Sequence, residues 1–129
     1  MKSEMSKRWL ERVTYDLDTA KAMFETKRYI YTIFMCQQSI EKCLKALLVV
    51  QGKEVLQVHN LRRLAEHAEI IAELHEEALI NLDFLSSYYI NARYKEDLKE
   101  LSKGITGEVA KNFIRFAEET IQWLSQKMK

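Results

Sequence analysis

The sequence predicts an all-α protein, an antiparallel up-and-down bundle of about five helices, and three observations carry that expectation. The chain has 129 residues, no proline and only three glycines, Gly52, Gly104 and Gly107, so residues that interrupt helices are scarce. Apolar side chains recur at three- and four-residue spacing over long segments, the period of one helix face. The composition is 47% hydrophobic and 30% charged, which is globular rather than disordered. A chain of this length forms one domain, 1–129, and can bury roughly two thirds of its unfolded surface.

The first helix is expected from 6 to 26, with Trp9, Leu10, Val13, Leu17, Ala20 and Phe24 as its stripe. The second runs from 28 to 51 and stops at Gly52, a residue suited to the left-handed stop position. Asn60 is expected to cap a third helix reaching about residue 72. A fourth covers about 74–91, carrying Ala78, Leu79, Leu82, Leu85 and Tyr89. Residues 91–104 could continue it or break near Arg93. Thr106 then caps the last helix, whose stripe is Val109, Phe113, Phe116, Ala117, Ile121 and Leu124, with Glu108 at its positive end.

Several classes of function are disfavoured at this level. The formal net charge is +1, without the basic excess of a dedicated nucleic-acid binder. Acids and bases alternate, as in DLKELSK and HAEIIAELHEE, the pattern of solvated faces. No apolar run spans a bilayer, and the N-terminus MKSEMSKRWLERV lacks a signal-peptide core, so a cytoplasmic, membrane-independent protein is expected. Cys36 and Cys43 stand seven apart, roughly 10 Å along one helix, too far to bridge, and read as small buried hydrophobes. His59, His67 and His75 are eight apart each time and turn away from one another by roughly 80°, so no metal site is expected. No Gly-rich phosphate loop or nucleophile elbow is present, and no cofactor is expected.

Two constellations stand out. Within residues 30–50, IYTIFMCQQSIEKCLKALLVV, the apolar run is interrupted by Gln37, Gln38, Glu41, Lys42 and Lys45. They stack as a polar ribbon that should face solvent, a second subunit or a cleft, because buried polar groups need partners. His59, at a loop–helix junction, either caps the third helix or points into a cleft. Further on, SSYYINARYKEDL crowds Tyr88, Tyr89, Tyr94 and Arg93. An arginine among aromatics can grip a phosphate or carboxylate while the rings exclude water. Equally, the tyrosines could pack the core edge while Arg93 pairs with Glu41 or Asp97.

QQSIEKCLKALL, VHNLRRLAE and YINARY together resemble the HEPN family, the higher eukaryotes and prokaryotes nucleotide-binding domain. The resemblance preserves order and spacing across nearly the whole chain. It implies an all-α bundle, usually a homodimer, often encoded beside a minimal nucleotidyltransferase as a toxin–antitoxin-like module. Many members are metal-independent ribonucleases in which four to six residues separate an arginine from a following histidine. Arg93 matches the arginine, but the corresponding positions hold Leu98, Lys99 and Glu100. The resemblance therefore implies a non-catalytic protein that binds a nucleotide, an RNA or a nucleotidyltransferase partner. Arg93 and Tyr94 would line a cleft, Lys42 and Lys45 would add positive charge, Glu41 would orient them, and His59 is a further candidate. The alternatives are a degenerate ribonuclease using Arg93 with His59 or Tyr94, and a structural dimerisation scaffold. Broad apolar stripes suggest a two-fold dimer through Tyr31, Met35, Tyr88 and Tyr89.

Overall fold

In the computed structural model, residues 3–94, 100 and 102–129 are described, 91–94 as backbone only. They form five α-helices and one 3₁₀ turn: α1 (Glu4–Glu25), α2 (Tyr29–Val50), α3 (Leu61–His67), the turn Ile71–Glu73, α4 (Glu76–Tyr94) and α5 (Gly107–Gln126). The helix starts follow local capping chemistry. Ser3 accepts the Ser6 N–H at 3.2 Å and so begins α1 slightly earlier than the apolar stripe suggested. Asn60 accepts from Arg63 N–H at 3.0 Å and Thr106 from Val109 N–H at 3.2 Å, as expected. α4 begins at Glu76 rather than 74 because His75 is its cap, its Nδ1 accepting the Ala78 N–H at 3.1 Å.

Helix ends hold the main departures from expectation. Gly52 has φ +72° and terminates α2 as anticipated. Two other stops use residues with side chains. Lys27 sits at φ 61°, and the Arg28 N–H reaches back to the Met23 carbonyl at 2.7 Å to close α1. Glu69 sits at φ 60° and ends the third helix well before residue 72, while Ile70 N–H closes on Ala65 O at 3.1 Å. The left-handed conformation costs such residues about 1–2 kcal/mol. At Glu69 the Lys53 ammonium, 2.9 Å away, partly offsets that cost.

α2 is the centre of the bundle and packs against α1, α3, α4 and α5. Its Ile33, Ile40, Leu44, Leu47 and Leu48 are at most 2% exposed and join Leu61, Leu64, Leu85 and Leu124 in one core. No helix among the described residues is long and apolar enough to cross a membrane.

Both cysteines are fully buried in this core. Burial, reinforced by the nearby Glu118 carboxylate, pushes the Cys36 thiol up from 9.0 to about 12. A raised folded-state value means that the associated stability is complete below the unfolded thiol's range. It is lost as pH rises from about 9 toward 12. Native protein at pH 8 should therefore react negligibly with a thiol reagent over minutes, whereas protein in guanidinium should titrate two thiols. Rapid native labelling at Cys36 would contradict this burial.

A buried carboxylate that orients His59

The polar ribbon of α2 is not a solvated face. Gln37 is 0% exposed, Glu41 4% and Lys45 7%. The i, i+4 spacing 37–41–45 stacks these three side chains over successive turns. There Gln37 Nε2 donates to Glu41 Oε1 at 3.0 Å and Lys45 Nζ donates to Glu41 Oε2 at 3.0 Å. The loop before α3 completes the set, with His59 Nδ1 3.0 and 3.1 Å from the two Glu41 oxygens. A buried carboxylate is costly alone, and here both oxygens are engaged, one by an ammonium.

Gln37 holds the histidine a second time. Its other N–H reaches the His59 carbonyl at 2.9 Å, and its own Oε1 accepts from Gln38 Nε2 at 2.8 Å. The loop is also fixed from α4, where Ser86 Oγ accepts the Leu61 N–H at 3.0 Å. Among the described residues no buried side-chain nitrogen or oxygen lacks a partner. The resulting shell sets the ring's orientation: Nδ1 faces inward to Glu41, and Nε2 lies on the opposite edge of a side chain 47% exposed.

Aromatic rings form the adjoining wall. The His59 ring centroid is 5.0 Å from that of Tyr89, and Tyr89 stacks on Phe34 at 4.9 Å. Position 93 follows Tyr89 by four residues on α4, hence by about one turn of the same face. Arg93 and Tyr94 fall in that last turn, and their side chains lie outside the described set, as do Leu98 and Lys99. Glu100 is exposed and pairs with Lys103 at 3.1 Å.

The lysines are placed differently from the expectation that both offer charge to a cleft. Lys45 is enclosed, salt-bridged to Glu41 with its Nζ 5.8 Å from the Trp9 ring centroid. Lys42 turns toward α1 and pairs with the largely buried Asp16. Tyr89, expected at a subunit contact, is 5% exposed within its own chain, whereas Tyr31 is 44% exposed. His59 is not the helix cap, since Asn60 performs that role. The other histidines are elsewhere: His67 Nε2 lies 3.1 Å from the Glu54 carbonyl, and His75 caps α4. Sequence reasoning placed Gln37 in the ribbon without seeing it as the clamp on His59, although its spacing from Glu41 signalled a pair. Asp16 and Ser86 carried no local signal of their roles, which arise only where helices meet.

An all-α bundle in which a buried glutamate holds a half-exposed histidine is the class of protein that this geometry defines. The family model described as HEPN domain matches residues 6–128, and the chain belongs to that family. A Methanocaldococcus jannaschii protein named "Putative toxin MJ1304" is 26% identical over 136 aligned positions, which cover 96% of this chain and 88% of that protein. The crystal structure of TT1696 from Thermus thermophilus superposes with a TM-score of 0.83 at 22% identity, covering 97% of this chain and 99% of that one. That of ST0689, described as an archaeal HEPN homologue, gives a TM-score of 0.77 at 24% identity, covering 96% and 98%. These structural likenesses establish the shared fold.

Proposed function

We propose that this protein is a non-catalytic, nucleotide-recognising component of a two-component, toxin-like module, with a minimal nucleotidyltransferase as its partner. The observation that carries the reading is the half-exposed His59 imidazole, fixed by Glu41 and walled by Tyr89, one turn before position 93. An imidazole edge, an aromatic wall and an arginine on the same helix suit a phosphorylated nucleotide, free or within RNA. The name of the Methanocaldococcus jannaschii relative supports the toxin-like setting. A two-fold dimer joining two copies of this α4 segment belongs to the same proposal, with the exposed Tyr31 and Ile90 offered as its apolar contacts.

The test is binding of a fluorescent ATP analogue and of a short single-stranded RNA to the purified protein. Arg93→Ala and His59→Ala should each weaken binding of at least one probe by tenfold or more while circular dichroism is unchanged. Lys42→Ala, which disturbs only the α1 pair, should bind nearly as the parent does. Equal binding by all variants would overturn the assignment.

The Glu41–His59 pair itself favours one second reading, a degenerate ribonuclease. A carboxylate at Nδ1 fixes the tautomer and leaves Nε2 outward as a base. Chelator-resistant RNA cleavage lost in both His59→Ala and Arg93→Ala would favour it. No cleavage at high protein concentration would exclude it.

A further inference from the structure

α4 and α5 both rest on α2, yet among the described residues no Cα of α4 comes within 8 Å of one in α5. Packed helices normally approach at 8–10 Å between axes, with their side chains interdigitating. Instead a cavity of about 750 Å³ lies between them. The two helices run antiparallel, as the contacts at either end show. Glu73, before α4, meets Lys127 after α5 at 2.5 Å, while Phe84 stacks on Phe113 at 5.0 Å.

The opening is a groove lined by α5 residues from Val109 to Trp123, which is roughly 21 Å of helix. Phe113, Phe116 and Trp123 are only half-buried there. Leu74, Phe116 and Trp123 also border a small void that reaches the core residues Ile40 and Leu44. The groove floor is thus continuous with the hydrophobic core, and an apolar helix face laid on it would extend that core by one layer.

The charges on its walls narrow the occupant. Glu77 from α4 and Glu119 from α5 stand on opposite sides, and among the described residues neither has an ion-pair partner. The chain itself shows which group suits this rim. The Lys127 ammonium lies 4.7 Å from the centroid of Trp123 while it pairs with Glu73. Among the described residues that line the groove, Arg115 alone is an arginine or lysine.

We propose that the α4–α5 groove docks an amphipathic helix of a partner protein, about four turns long, whose apolar stripe is flanked by lysine or arginine. Its basic residues meet Glu77 and Glu119, and its leucine-like stripe covers Phe113, Phe116 and Trp123. This surface is separate from the His59 site, so the two assignments stand or fall independently.

The probe is a 14-residue helical peptide of leucine and lysine, with a leucine–glutamate counterpart as control. Trp9→Phe leaves Trp123, in the groove, as the sole tryptophan and the optical reporter. The basic peptide should shift Trp123 emission saturably at micromolar concentration, and the acidic one should not. Glu77→Lys with Glu119→Lys should weaken the basic peptide at least tenfold and admit the acidic one. Both positions are exposed, and Glu119→Lys alone, predicted to give a smaller shift in the same direction, guards against misfolding of the double variant. Equal binding of both peptides, or affinity indifferent to charge reversal, would overturn the proposal. So would a protein dimer that dissociates on the same reversal, because a second copy would then be the occupant.

Discussion

Replacing Glu41 by alanine should destabilise the protein by about 3–5 kcal/mol, the range seen when one partner of a buried ion pair is removed. Three groups lose their common acceptor at once. Lys45 would be left with its side chain 9% exposed and no carboxylate, Gln37 with an unmatched N–H, and His59 with no partner at Nδ1. The lysine dominates, since an uncompensated buried ammonium costs far more than an unmade amide contact. Glu41→Gln should lose less, because an amide keeps the shape and one acceptor oxygen. The double variant Glu41→Ala, Lys45→Met removes both charges and should recover much of the loss. Urea titrations of the four proteins provide the check. A loss below about 1 kcal/mol in Glu41→Ala would mean that the carboxylate is solvated rather than enclosed.

That network also marks the boundary between what the sequence discloses and what it withholds. Among the described residues the period of apolar side chains located the long helices, and Asn60, Thr106 and Gly52 fixed three helix ends, because capping is decided within a few residues. The stop at Glu69 was illegible, since that residue does not prefer positive φ and no local signal marks it. For the site, the spacing of Gln37, Glu41 and Lys45 announced a polar ribbon, and the HEPN-like segments singled out Glu41, Lys45, His59 and Arg93. Spacing alone could not say that the ribbon turns inward. That depends on a loop eighteen residues beyond Glu41 returning to deliver His59. The gap between α4 and α5 was equally hidden, since each stripe looks complete until the distance between the helices is known.

Leu48→Ala should remove about 2–5 kcal/mol, and its value lies in the contrast with Glu41→Ala. Leu48 is 0% exposed and sits in the central helix among the core leucines. Leucine and alanine are both strong helix formers, so the change leaves backbone preference almost untouched and isolates the cavity term. The position is seven residues from Glu41, roughly 10 Å along α2, and has no part in the hydrogen bonds that hold His59. A stability loss here should therefore appear as a lower urea midpoint with an unchanged slope, and the folded fraction should bind the nucleotide probe with parental affinity. Glu41→Ala should lose both, because the same carboxylate supports the fold and aims the imidazole. If the two variants lose binding in equal proportion to stability, the His59 site is only a reporter of folding. If Leu48→Ala keeps affinity while Glu41→Ala does not, the buried glutamate is the element through which the bundle positions its site.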